Sequence, residues 1–263
     1  MDLGLKDRVA IVAASSQGLG KAVARGLARE GARLALCART EAALLKTADE
    51  IRGETGVDVL ARAVDVTAPE QVQRFVSEAS SHFGRVDICV ANAGGPPSKS
   101  FADTSIEDWH RAAELNLMST VYLARETLPL MQKRQWGRFI AITSITVKQP
   151  LEGLILSNSI RCGVSGLIKT LAAEYGPHNV LVNNICPGFT ATDRLMELAQ
   201  AQAASKGVAA RDVEAGWAAQ VPLRRVGRPE EFADVVVFLA SERASYVTGV
   251  TLAVDGGMVK GLY

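Results

Sequence analysis

Short runs of β-branched and other apolar residues recur along the chain, separated by longer stretches with helical alternation of apolar and polar positions. The runs are Val9–Ala13, Leu34–Ala38, Val59–Val64, Ile88–Ala91, Arg138–Ile142, Leu181–Ile185 and Thr251–Val254. Strand-like runs alternating with amphipathic stretches are the signature of βαβ units and a parallel sheet. The spacing predicts a single α/β domain built on a doubly wound, seven-stranded parallel sheet over residues 1–263. Helices are predicted at Lys21–Glu30, Ile106–Lys133 and Ser157–Tyr175. In Thr67-Ala-Pro-Glu70 the threonine reads as an N-cap, with proline at the second helical position and a capping-box glutamate. Gly227-Arg-Pro-Glu-Glu231 opens the last helix in the same manner. One segment breaks the rhythm. Residues 190–221, rich in Ala, Leu and Met, are too long for an ordinary connection and read as a helical lid over a substrate, with Gly207 and Gly216 as hinges.

Composition narrows the class without changing the fold. Hydrophobic residues make up 48% of 263 and charged residues 22%, a globular profile with ample material for one core. A net charge of +1 provides no field to recruit nucleic acid or an anionic membrane. No segment has the apolar length of a membrane span, and the opening MDLGLKDRVAIV lacks the layout of a secretory leader. Cys37, Cys89, Cys162 and Cys186 lie in apolar runs without C-x-x-C spacing, so buried free thiols, no metal site and a reducing cytoplasm are expected.

The chemistry begins directly after the first strand. Ala13-Ala-Ser-Ser-Gln-Gly-Leu-Gly20 joins a strand to a helix, and such a junction turns free backbone N–H groups and the helix dipole towards a pyrophosphate. Ser15, Ser16, Gln17, Gly18, Leu19 and Gly20 are therefore candidate cofactor contacts. The second strand ends Leu36-Cys-Ala-Arg39. An acid at its tip would bind the ribose 2′-hydroxyl; here the acid is missing, and the planar fork of Arg39 suits a 2′-phosphate.

With these motifs the chain resembles the short-chain dehydrogenase/reductase family, which has the Rossmann fold, over roughly residues 6 to 257. The family pattern T-G-x-x-x-G-x-G is matched with Ala13 and Ala14 in place of Thr and Gly, while Gly18 and Gly20 are kept. The resemblance implies that Asp65 and Val66 flank the adenine, and that Asn92, Ala93 and Gly94 continue the cofactor site. It also implies that Pro187 and Gly188, with Thr190 just beyond, hold the nicotinamide end. Tyr246-Val-Thr-Gly249 and Val254-Asp-Gly-Gly257 match the closing strand. The implied cofactor is NADP(H).

The family's reductases use an asparagine, a serine, a tyrosine and a lysine. Asn116 and Ser144 stand at the first two positions. At the Y-x-x-x-K position the sequence reads Ser157-Asn-Ser-Ile-Arg161, so Ser157 replaces the tyrosine and Arg161 the lysine, which would also hold the nicotinamide ribose. The i, i+4 spacing keeps both on one helix face. A serine is a far weaker acid than a phenol, and an arginine holds its proton. Tyr122 falls on another face of its helix and Tyr175 beyond the catalytic end of its own, while Lys148 and Glu152 lie in a loop that could reach the cavity left by the missing ring. His82, His110 and His178 read as surface or capping residues remote from the strand ends. By resemblance the expected activity is NADP(H)-dependent interconversion of a carbonyl and its alcohol, with a ketone or 3-oxoacyl thioester as substrate, as in the 3-oxoacyl-carrier-protein reductase branch. The alternative is a diverged dinucleotide-binding module that senses or scaffolds without turnover. Resemblance further implies a homotetramer.

Overall fold

The computed structural model describes residues 1–262. Its strands are β1 (Val9–Ala13), β2 (Arg33–Ala38), β3 (Val59–Ala63), β4 (Ile88–Ala91), β5 (Gly137–Ile142), β6 (Val180–Pro187) and β7 (Thr251–Val254). They form one sheet in the order β3-β2-β1-β4-β5-β6-β7, with every neighbouring pair parallel. The strand order reverses between β1 and β4, and in open α/β sheets that switch point opens a crevice at the carboxyl ends of the strands.

Both faces of the sheet are covered, which explains why the strands read as continuous apolar runs. Ala10, Val12, Leu34, Leu36, Ile88 and Ile140 face one way, towards α1 (Gly18–Arg29), α2 (Glu41–Thr55) and α9 (Pro229–Ala240). Val9, Ile11, Ala13, Cys37, Cys89 and Phe139 face the other way, towards α3 (Pro69–Phe83), α5 (Ser119–Lys133) and α6 (Ile155–Tyr175). Successive strand residues thus feed two cores in turn. Burial pushes the Cys37 and Cys89 thiols up to about 12, so they pack as small apolar groups. Cys162, on α6, is exposed instead, its Sγ donating to Asn158 O.

The amino-terminal edge of the sheet is knitted by charge. The fully buried Asp87 carboxylate accepts from Arg85 Nε and Nη2, both at 2.6 Å, and from Val9 N at 2.9 Å. Beside it, buried Arg138 lies 4.2 Å from the centroid of Trp136, with Arg8 at 3.7 Å from the same ring. Glu242 accepts from Trp136 Nε1 at 2.9 Å and Arg8 Nη2 at 2.7 Å, and stands 3.7 Å from Arg138 Nη2.

Several expected boundaries shift. Helix α3 begins one residue later than the threonine cap implied: Ala68 is the N-cap, Pro69 is the first helical residue, and the Thr67 hydroxyl donates to Asp65 Oδ1 at 2.8 Å. The long helix expected over 106–133 is α4 (Ile106–Ala113) and α5 joined by a π-helical turn, Glu114–Met118. The 190–221 segment folds as α7 (Asp193–Lys206) and α8 (Ala210–Gln220). Gly207 ends α7 in the left-handed conformation, whereas Gly216 lies inside α8 and is no hinge.

Candidate active site

The crevice beyond β1 is shaped by its backbone. Gly18 has φ +57°, and a Cβ on Gly20 would stand 2.3 Å from Ala14 O, so the turn tolerates no side chain there. Ala14, at the place of the family's glycine, nonetheless takes φ +49°. Helix α1 starts at Gly18 with no side-chain cap from Gln17 and no acid in its first turn. A helix start without a capping side chain presents free N–H donors and the positive end of the dipole, the arrangement that receives a phosphate anion. Asn92 braces the turn from β4, donating to Ala13 O at 3.3 Å.

Not every residue expected here is free to serve. Ser15 is buried and its hydroxyl donates to Cys37 O at 3.3 Å, so of the two serines only Ser16 keeps its hydroxyl out of the framework. The Thr190 hydroxyl donates back to Gly188 O at 3.3 Å. Asp65 caps its own loop, accepting from Thr67 N at 3.0 Å. That bond, the Thr67 hydroxyl and the charge of Arg39 hold its carboxyl below the usual range against the opposing effect of burial. Arg39 is exposed at the tip of β2 and forms no ion pair with a described residue.

The four catalytic candidates gather beyond β4 and β5. Asn116, in the π-helical turn, donates through Nδ2 to Gly94 O at 2.9 Å, while its buried Oδ1 has no partner. An unpartnered buried acceptor is costly unless a ligand or water satisfies it. Ser144 N-caps the short 3₁₀ turn Ile145–Val147: its Oγ accepts from Thr146 N at 3.2 Å, which leaves the hydroxyl proton available. Ser157 and Arg161 are both buried on α6. Their side chains, however, part company. Ser157 Oγ pairs with Thr146 Oγ1 at 3.0 Å. Arg161 donates to Ile142 O at 3.2 Å, Thr143 O at 2.8 Å and Gly94 O at 3.5 Å. No carboxylate accompanies it, and burial pushes its pKa down to about 10. The guanidinium is thus held by backbone carbonyls at the ends of two strands, rather than reaching outward as the shorter family lysine is expected to do.

Thr146 was not singled out from the sequence; its place two residues after Ser144 was the available signal. The other candidates fall away from the crevice. Tyr122 OH donates to Glu114 Oε2 at 3.1 Å, His178 lies against Gln132 and Gln135, and His82 against Asp58. Glu152 is exposed, while Lys148, the residue directly after the 3₁₀ turn, is half-buried.

A parallel sheet with an uncapped helix start at its switch point defines a dinucleotide-binding α/β protein. Comparison with known proteins sharpens this. The family model described as enoyl-(acyl carrier protein) reductase matches residues 13–259. The chain is 33% identical over 258 residues to the 3-oxoacyl-[acyl-carrier-protein] reductase FabG of Aquifex aeolicus, covering 98% of this chain and 100% of the relative. It superposes with a TM-score of 0.95 on L-sorbose reductase from Gluconobacter frateurii complexed with NADPH and L-sorbose, at 38% identity and full coverage of both chains. An actinorhodin polyketide ketoreductase with NADPH follows at TM-score 0.92 and 30% identity, covering 97% of this chain and 98% of that one. The chain belongs to the short-chain dehydrogenase/reductase family, whose members are oxidoreductases.

Proposed function

We propose that the protein is an NADP(H)-dependent oxidoreductase that reduces a ketone or a 3-oxoacyl-thioester-like carbonyl, or oxidises the matching alcohol. The observation that carries this reading is the uncapped α1 start at Gly18 after β1, with Asn116 and Ser144 beyond the ends of the neighbouring strands β4 and β5. The dinucleotide supplies the hydride. The protein does the rest. Backbone N–H groups at the start of α1 and the Ser16 hydroxyl hold the pyrophosphate, and Arg39 takes the 2′-phosphate. Asp65 and Val66 flank the adenine, with Asn92, Ala93 and Gly94 along the middle of the cofactor and Pro187 and Gly188 at its nicotinamide end. The Ser144 hydroxyl donates to the substrate carbonyl oxygen, and the unpaired Oδ1 of Asn116 accepts from a water or from the substrate. The Arg161 charge beside them favours the oxyanion that develops during reduction.

Helices α7 and α8 close the substrate side as a lid. Trp217 of α8 stacks on Phe189, 5.0 Å between centroids, and Arg194 of α7 donates to Pro96 O at 3.1 Å, tying the lid to the loop after β4. Helices α4–α6 and β7 provide the faces of a homotetramer, which sedimentation at micromolar concentration tests. A second reading has one observation in its favour: Ser157 and Arg161 are both engaged inside the framework, as in a module that binds the cofactor without turnover. Incubating the protein with NADPH and a panel of ketones and 3-oxoacyl thioesters separates the two. Oxidation of NADPH with any carbonyl supports the enzyme; NADPH binding without oxidation supports the module.

A further inference from the structure

At the carboxyl end of β5, helix α6 holds one short stretch of chain from two sides. That stretch is Ile142–Thr146, and Ser144 stands at its middle. Upstream, Arg161 donates to the two carbonyls that precede Ser144, Thr143 O at 2.8 Å and Ile142 O at 3.2 Å. Downstream, Ser157 Oγ pairs with Thr146 Oγ1 at 3.0 Å. Both grips come from one face of α6, because residues 157 and 161 lie one turn apart. Thr146, Ser157 and Arg161 are all buried, so these bonds form where water competes little for them.

Thr146 is where the two ends of this arrangement meet. Its N–H donates to Ser144 Oγ at 3.2 Å, and its hydroxyl is the partner of Ser157. The same residue therefore carries the donor that orients the Ser144 side chain and the anchor that fixes that donor to α6. The turn between them is a weak scaffold by itself. It is a three-residue 3₁₀ helix, closed by Val147 N on Ser144 O at 3.1 Å and Lys148 N on Ile145 O at 2.9 Å. Such turns have poorer hydrogen-bond geometry than an α-helix. A serine hydroxyl can take several staggered positions about its Cα–Cβ bond, and the bond from Thr146 N selects one.

From this convergence we infer that Thr146 is a positioning residue: through its bond to Ser157 it holds the turn that aims the Ser144 hydroxyl at the substrate carbonyl oxygen. The inference rests on the reductase reading above and deepens it. The residues at the tyrosine and lysine positions then share one task, tethering the stretch that carries Ser144, with Arg161 before it and Ser157 after it. Thr146 makes and breaks no bond in the reaction. It keeps a donor where negative charge develops on the oxygen, and a donor displaced from that place loses much of its effect.

The test measures kcat and KM of the full-length protein with NADPH and the best carbonyl from the panel, with NADPH affinity by cofactor fluorescence and Tm read separately. Thr146→Val keeps the N–H and the shape but removes the hydroxyl, and is expected to lower kcat by about 10-fold. Ser144→Ala, which removes the donor itself, should cost about 100-fold. NADPH affinity should stay within about twofold in both. Thr146→Ser restores the hydroxyl and should keep kcat within about twofold of the unaltered protein. A packing role would rank the two Thr146 variants in reverse, since valine preserves the volume and serine does not. Ser157→Ala should match Thr146→Val, and the two changes together should be no slower than either alone. Thr146→Val leaves the Ser157 hydroxyl buried without a partner and should lower Tm; adding Ser157→Ala removes that orphan, so Tm should recover while kcat does not. In a Ser144→Ala background, Thr146→Val should lower kcat no further. Unchanged kcat in Thr146→Val, a slow Thr146→Ser, or a further 10-fold loss in the Ser144→Ala background would overturn the assignment and leave the reductase reading standing. Failure of the unmodified protein to oxidise NADPH with any carbonyl would remove that reading and this inference together.

Discussion

Two buried arginines bracket β5 and solve the same problem in opposite ways. Arg138, at the amino-terminal edge, donates to Gly137 O at 2.8 Å, lies over Trp136 and faces Glu242 at 3.7 Å. Arg161, at the carboxyl edge, also binds carbonyls, yet has no acid beside it. At the base the charge has an acid within ion-pair reach, although Arg138 Nη2 itself makes no hydrogen bond. At the top it is held only by peptide dipoles, alongside the unpartnered Asn116 Oδ1 and the positive φ of Ala14. A buried unpaired charge is a liability for stability, so its presence at one edge only marks that edge as built for a ligand. Stability and function are segregated along a single strand.

The sharpest way to break this comparison is to remove each guanidinium in turn. Arg161→Met is expected to lower kcat/KM by about 100-fold, the scale of losing one fixed charge that favours a developing oxyanion. Arg138→Met should leave turnover unchanged and lose about 3 kcal/mol in urea unfolding, as when a buried charge network loses a member. If Arg138→Met impaired turnover more than Arg161→Met, the segregation would be wrong. Next in size is the unpaired cation at the tip of β2. Arg39→Asp should reduce NADPH affinity by about 10- to 100-fold, the value of a charge-assisted hydrogen bond, and erase its preference over NADH. Equal affinity of the unaltered protein for both cofactors, by fluorescence titration, would remove Arg39 from the site.

A smaller effect sits in the first turn. Ala14→Gly relieves a side chain held at φ +49° and should stabilise the fold by about 1 kcal/mol, visible as a higher Tm. No gain would mean that the turn carries no strain. The smallest effect is local. Glu231 accepts from Arg228 N at 2.8 Å at the start of α9, and Arg225 grips its carboxylate. Arg225 first, then the Arg228 N–H, holds its pKa down to about 2 from 4.5. Because the folded value is the lower one, the stabilisation is present above pH 4.5 and fades as pH falls towards 2. Amide exchange in the first turn of α9 should accelerate across that window, and Glu231→Gln should flatten the dependence.

Much of this architecture was legible in the chain. β1, β4 and β7 match their predicted bounds residue for residue; for β1 and β4 this is because buried parallel strands are apolar at every position and end abruptly at polar turns, whereas the edge strand β7 is only partly buried. Gly18 and Gly20 announced the phosphate turn for a local reason, since one needs positive φ and the other close approach. Other features depend on partners distant in sequence. Whether Arg161 reaches outward or folds back onto Thr143 O is decided by β5, and whether Ser157 is free is decided by Thr146, eleven residues before it in the chain. The apolar surroundings of Cys162 suggested burial, but that turn of α6 points its thiol away from the sheet. Ala14 defeated propensity altogether: the surrounding turn holds an alanine where isolated preference would demand glycine.

The π-helical turn at Glu114–Met118 also makes this stretch sensitive to chain length. Such a turn closes its hydrogen bonds one residue further along the chain than an α turn does, i→i+5 in place of i→i+4. Asn116 sits inside that wider turn, so the length of the turn helps to set where its amide meets Gly94 O. Deleting Leu117 is expected to let the helix close into regular α turns and to draw Asn116 off Gly94 O. For this stretch the length of the helix, as much as the identity of residue 116, holds the amide at Gly94 O.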